Sequence, residues 1–330
     1  MRVVALEEHF TVPELVKRID PAVIKARGYV PRRVPKDRPG PMELAPEIGE
    51  RRIKSMDEAG ITVQILSNSG PGPDLVPGKD GVAMAREMND YLAQSCARHP
   101  DRFIGFAVLP LQSPEACADE LRRCVKELQF PGALINGTCE GRFLDHPRYD
   151  DLLAAAVELD VPIYIHPHIP PAPVREAYYS GLEEGAGRVL ATAGWGWHSE
   201  TAIHVLRLVL TGTLDKHRKL KIIIGHMGEM LPVMLDRLDK VSALDIDHLE
   251  RPISRTILDQ VWLTTSGIFT EPPLLAAQMT FGMDRIMFSV DYPYAPNMAG
   301  RRFLNSISLA PDDMAKLCYG NVDALLKLKA

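Results

Sequence analysis

Short runs of β-branched and other apolar residues alternate along the chain with longer stretches whose apolar positions recur every three or four residues. That alternation is the pattern of a parallel sheet covered by helices. Eight runs are strand candidates: residues 3–8, 61–67, 103–109, 133–136, 161–166, 220–225, 260–265 and 286–291. Several, such as Ile163-Tyr164-Ile165 and Ile222-Ile223-Ile224, lack polar alternation, as strands buried on both faces do. Helical signals lie between them. Ser113-Pro114-Glu115 reads as an N-cap, a first-position proline and a first-turn acid, followed by Leu121, Cys124, Val125 and Leu128 on one face. Ile203, Leu206, Val209 and Leu210 form another stripe, closed by Gly212, and a last helix runs from Ala315 through Leu325 and Leu328. Eight strand-then-helix units in order predict a (β/α)₈ TIM barrel occupying residues 1–330 as one domain. No Gly-rich fingerprint follows the first strand, which argues against a dinucleotide-binding open sheet.

Two insertions interrupt the rhythm, at residues 10–46 after strand one and 167–197 after strand five. The first carries seven prolines and the cations Lys17, Arg18, Lys25, Arg27, Arg32, Arg33, Lys36 and Arg38; the second contains PHIPPAP and AGWGW. Both fall on the side of the barrel where loops shape active sites. The bulk composition adds mainly exclusions. A net charge of −5 gives no electrostatic case for nucleic acid or an anionic membrane surface. No stretch approaches the roughly 18 apolar residues of a membrane span, and the run at residues 3–6 is too short for a signal-peptide core. Five scattered cysteines without a CxxC pair support neither disulfides nor a thiolate metal site. A cytoplasmic protein acting on a small molecule is the expectation.

Catalytic residues of barrels come from the C-terminal ends of strands. Glu7 and His9 are two apart at the end of strand one, a spacing that aims both side chains the same way. His166 closes strand five, His226 follows strand six and Asp291 closes strand eight. These carboxylates and imidazoles converge as a mixed oxygen and nitrogen site for one divalent ion, Mn²⁺ preferred for the hard oxygens and Zn²⁺ also suited. Glu8 faces away and is read as structural, and His168 as a loop residue. His99, His146, His217 and His248 are read as surface residues, and His198 and His204 as structural groups flanking a helix start.

The motifs LEEHF, IHPH, IIGHMGEMLP and RIMFSVDYP, in this order and at barrel-strand spacing, resemble the amidohydrolase-2 branch of the amidohydrolase superfamily. They are most similar to its o-hydroxyarylcarboxylate decarboxylases, of the γ-resorcylate and 5-carboxyvanillate type. The likeness runs from strand one to the closing YGNVDALLKL. It implies Glu7, His9, His166 and Asp291 as metal ligands, His226 as the strand-six histidine and Glu229 as its hydrogen-bonding partner. It implies Arg237 as the residue that holds the substrate carboxylate, and a homodimer or homotetramer as the assembly. Hydrolytic members usually begin with His-x-His and often carry a lysine on strand four that bridges two metals. Here strand one has Glu-x-His and strand four reads ALINGT, so a mononuclear site follows.

The resulting expectation is a non-oxidative decarboxylase of an ortho-hydroxylated aromatic acid. Substrate oxygens chelate the metal, Asp291 protonates the ring carbon, and His226 hydrogen-bonds a substrate oxygen or shuttles the proton. A metal-dependent hydrolase or lactonase, or a hydratase acting on a ring-fission product, is the alternative. A barrel that only binds a carboxylate ligand is disfavoured, because grouped Glu and Asp are costly without a cation.

Overall fold

The computed structural model describes residues 1–29 and 39–328. Arg32, Arg33, Lys36 and Arg38 of the first insertion lie outside the described residues. The strands are β1 Val4–Phe10, β2 Val63–Asn68, β3 Phe103–Gly105, β4 Ala133–Asn136, β5 Ile163–His166, β6 Ile222–Ile224, β7 Val261–Thr264 and β8 Ile286–Met287. All pair in parallel, as β1-β2-β3 and as β4-β5-β6-β7-β8. A bridge between Ala107 and Ala133 joins the two groups. At the opposite seam the His9 N–H donates to Tyr292 O at 2.6 Å. There the Glu8 carboxylate also accepts from the Val290 and Tyr292 amides, at 2.8 and 3.0 Å. The architecture is the (β/α)₈ barrel the sequence predicts. Glu8 is structural as expected, and burial pushes its carboxyl up to about 8.

β3 and β8 fall furthest short of their apolar runs. β8 ends at Met287, because the next amides are taken by groups other than a neighbouring strand. Phe288 N–H donates to Leu317 O at 2.9 Å, Ser289 N–H to Thr265 Oγ1 at 3.0 Å, and Val290 N–H to Glu8. Asp291 therefore sits on irregular backbone just before a turn rather than on a strand. β3 ends at Gly105: the Phe106 amide still donates to Leu66 O of β2, but Ala107 turns to Gly132 O and the Val108 amide donates to Asn89 Oδ1. The last helix is broken by a π-helical turn at Lys316–Gly320.

Val4, Leu6, Val63, Ile65, Phe106, Leu134, Tyr164, Ile223 and Met287 fill the inside of the barrel as one apolar cluster. The helices pack outside against the alternate strand positions, among them Ala5, Leu66, Ile135, Ile165 and Ile224. Both insertions carry short helices: Pro13–Val16, Pro21–Arg27 and Pro41–Leu44 in the first, Ala172–Tyr179 and Glu184–Ala191 in the second. All five cysteines are free and buried. His217, expected at the surface, is buried and bonds Asp150 Oδ1 at 2.8 Å.

Candidate metal centre and active site

The register of β1 against β2 shifts between Ala5 and Glu8. This bulge changes the phase of the strand: Leu6 belongs to the interior cluster, yet Glu7 also turns inward, and His9 with it. Glu7 is buried beneath the mouth of the barrel. Its Oε2 accepts from Tyr164 and Ser266 and, at 3.3 Å, from Thr264. A Cβ on Gly225 would collide with that same oxygen and lie 3.0 Å from Tyr164 Oη, so glycine is the residue that leaves Glu7 its seat. The other oxygen, Oε1, has no hydrogen-bond partner among the described residues. It faces His166 Nε2 at 3.4 Å and His226 Nε2 at 3.8 Å.

His9 places Nδ1 at 3.2 Å from Ser67 Oγ, which leaves Nε2 3.1 Å from Asp291 Oδ1. The His9 and His166 rings meet edge to face, centroids 4.6 Å apart. Asp291 takes φ 72°, a left-handed conformation that costs a non-glycine residue about 1 kcal/mol. His226, Met227, Gly228, Glu229 and Met230 also all have positive φ, and this left-handed run folds Glu229 back so that Oε1 lies 2.9 Å from His226 Nδ1.

The donor atoms of Glu7, His9, His166 and Asp291 all lie within 4.8 Å of one another. Donors about 2.0–2.2 Å from one ion fall within ~4.4 Å of each other, so the cluster is close to the size of one coordination sphere. Two carboxylates, two imidazoles and a bare buried carboxylate oxygen fit a single divalent cation. His226 stands beside this set, 3.9 Å from Asp291 Oδ2.

Burial raises the Glu7 carboxyl above its usual range, opposed by the charges of His226 and His9. Burial keeps His166 neutral to well below the usual imidazole range, as a ligand nitrogen requires. It pushes His226 the same way, but the charges of Glu229 and Glu7 outweigh it and raise His226 well above 6.5. Burial likewise raises Glu229 and Asp291, and contacts to His226 reverse both shifts, with His198 helping at Glu229 and His9 at Asp291.

Arg237 is not brought into this cluster. It lies exposed on the helix Leu235–Ser242 and makes no hydrogen bond or ion pair with the described residues. Its acidic neighbours are otherwise engaged, Asp236 with Lys240 and Asp239 with Ser254. Three residues given no part in the chemistry above lie at or beside the site. His198 reaches Glu229 Oε2 at 2.6 Å and so belongs with the His226–Glu229 pair as well as to a helix start. His168 is buried and bonds the Tyr29 hydroxyl at 2.5 Å, tying the two insertions together. Asn136 pairs in register with His166, so both side chains emerge on the same side of the sheet. Its Nδ2 donates to Asn68 O at 3.0 Å and its Oδ1 is unpartnered among the described residues. Only Asn136 carried a local signal, as the polar residue of ALINGT where a bridging lysine would stand.

The amidohydrolase family profile matches residues 9–328. A γ-resorcylate decarboxylase from a Rhizobium species is 38% identical over 336 residues, covering 98% of each chain. A decarboxylase from Emericella nidulans is 36% identical, over 98% of this chain and 96% of that one. Among solved structures, a dihydroxybenzoic acid decarboxylase from Polaromonas with bound manganese and the inhibitor 2-nitroresorcinol superposes with a TM-score of 0.88 at 37% identity. That match covers 99% of this chain and 98% of the other. With the profile spanning nearly every residue and relatives aligned end to end, the chain belongs to the amidohydrolase family.

Proposed function

We propose that the protein is a metal-dependent, non-oxidative decarboxylase of an ortho-hydroxylated aromatic carboxylic acid. The observation that carries this reading is the cluster of Glu7, His9, His166 and Asp291 beside a β4 that offers Asn136 and no lysine. Full-length similarity to decarboxylases that act on γ-resorcylate supports the substrate class. The Polaromonas structure, with manganese bound, supports Mn²⁺ as the ion, with Zn²⁺ compatible with the same donors.

A bound divalent ion supplies Lewis-acid charge neutralisation and a fixed seat for the substrate's oxygens. The chain's own groups do the rest. Cleaving the carbon–carbon bond requires the ring carbon that bears the carboxylate to take up a proton first, so that the ring can accept the bonding electrons and carbon dioxide can leave. Asp291 delivers that proton. His9 and His226 hold its carboxyl low in the free site, and an anionic substrate alongside opposes them. His226, kept protonated by Glu229 and Glu7, resupplies Asp291 across the 3.9 Å gap. Loss of carbon dioxide restores the aromatic ring, and solvent returns the proton consumed. Arg237 clamps the substrate carboxylate in a bidentate geometry that lysine cannot reproduce. In the same reading the enzyme is a homodimer or homotetramer in the cytoplasm, and Arg237, exposed on the single chain, acts within that assembly.

The test is turnover of Mn²⁺-loaded protein against a panel of ortho-hydroxybenzoates, with mass spectrometry of the products. The expected result is a decarboxylated phenol that disappears when the ion is chelated. No product from protein with its ion bound would overturn the reading in favour of a hydrolase, lactonase or hydratase.

A further inference from the structure

We infer that His198 is a positioning residue for His226, acting through Glu229. The inference rests on the reading above, in which His226 serves the reaction. Glu229 is buried, and each of its oxygens meets a different imidazole: Oε1 lies 2.9 Å from His226 Nδ1 and Oε2 lies 2.6 Å from His198 Nδ1. The other nitrogen of His198 lies 3.0 Å from Ala193 O. The His198 ring is thus held between a carboxylate on one side and a backbone carbonyl on the other. The two imidazoles also touch, edge to face, with centroids 4.7 Å apart.

The terminal torsion of a glutamate is broad. A carboxylate held through one oxygen can swing, and it would carry the imidazole it supports along with it. A second imidazole on the second oxygen removes that freedom and aims His226 Nε2 at Glu7 and Asp291.

The AGWGW segment is built to deliver this contact. A Cβ on Gly196 would lie 2.5 Å from Ala191 O, and one on Gly194 would lie 2.7 Å from Val189 O. Only glycines permit so tight a passage from the helix Glu184–Ala191 into the helix Gly196–Leu210, whose first turn carries His198. The chain thus returns from the long second insertion with a histidine aimed at the back of the catalytic pair.

The experiment compares wild type, His198→Phe, His198→Gln, Glu229→Gln and the double variant His198→Phe/Glu229→Gln, each with its metal content measured. For an ortho-hydroxybenzoate that the wild type turns over, His198→Phe is expected to lower kcat 10- to 100-fold with KM within two-fold and metal content unchanged. His198→Gln, which restores a donor, recovers most of that loss. In the Glu229→Gln background the Phe substitution adds less than two-fold, since the group it acts through has already been changed. Unchanged kcat in His198→Phe, or the same factor in both backgrounds, would overturn the inference. Should the Phe variant fail to fold, His198→Asn, too short to reach Glu229, takes its place in the cycle. If the wild type turns over no hydroxybenzoate, the reading of the activity fails, and imidazole ¹⁵N spectra of protein loaded with diamagnetic Zn²⁺ decide separately. A shifted or broadened His226 signal on losing His198 upholds the positioning role, and an unchanged one overturns it.

Discussion

Three hydroxyl groups converge on one oxygen of Glu7 and leave the other bare, so the carboxylate is oriented by the protein before any ion arrives. Partners behind a ligand fix its direction, and losing one commonly costs 10- to 100-fold in metal affinity. Tyr164→Phe is therefore expected to weaken Mn²⁺ binding by about 10-fold in a competition titration, and an unchanged affinity would reduce Tyr164 to packing. In the proposed mechanism Asp291 both holds the ion and delivers the proton, so Asp291→Asn should abolish turnover, by roughly 1,000-fold or more, while circular dichroism stays native. Wild-type rates in that variant would remove it from the mechanism. At Arg237 the expected loss is specific to the planar fork: Arg237→Lys lowers kcat/KM by about 1–3 kcal/mol of charged hydrogen bonding. Unchanged kinetics would leave Arg237 as the exposed helix residue it is on the isolated chain.

The loops are held to the barrel by buried polar side chains, and His204 shows what such a tie costs. Its Nε2 accepts from the Leu144 amide at 2.9 Å, joining the helix Gly196–Leu210 to the segment after β4, with Phe143 edge-on at 5.0 Å. Burial lowers this imidazole from 6.5 to about 3, because the charged form is desolvated and the Arg207 cation opposes it. The folded state holds the neutral ring and the unfolded chain protonates near 6.5. The contribution of this group is therefore complete above that pH and is lost as pH falls toward 3, by about 1.4 kcal/mol per unit. His204→Gln, which keeps an acceptor but cannot titrate, should flatten the fall in denaturation midpoint between pH 6.5 and 4.5; parallel curves for the two proteins would refute the assignment. The elements themselves were largely legible in the sequence, because strands buried on both faces announce themselves as unbroken apolar runs. Where they end was less so. The amides after Met287 are claimed by Thr265 and Glu8, partners far away in the chain that no local pattern shows. The Glu7-x-His9 spacing pointed correctly to one face, but the bulge that sets the phase of that face is visible only in the register with β2. His198 escaped notice for a similar reason: its partner is 31 residues away, and nothing about a histidine after two tryptophans names it.

For the whole molecule the metal centre is also a matter of stability. Glu7, His9 and His166 are buried within a barrel whose net charge is already −5, and Asp291 closes the group. Like-charged carboxylates gathered in a place of low dielectric repel one another and have lost their water. The contacts His9–Asp291 and His166–Glu7 offset this only in part, since burial holds His166 uncharged. A divalent ion meets every one of these donors at once, while the unfolded chain scatters them along 285 positions from Glu7 to Asp291. Binding to the native state alone at a free concentration one hundred times Kd adds about 2.7 kcal/mol. Across a chain of 330 residues, each kcal/mol moves Tm by about 1.5 °C. Removing the ion with a chelator should therefore lower Tm by about 4 °C, and restoring Mn²⁺ should return it. Glu7→Gln, which withdraws one donor, should start lower and respond less to either treatment. If protein shown by elemental analysis to have lost its ion melts at the same temperature, the histidine–carboxylate contacts are sufficient on their own. The ion's free energy would then be spent on substrate and its reaction rather than on the fold.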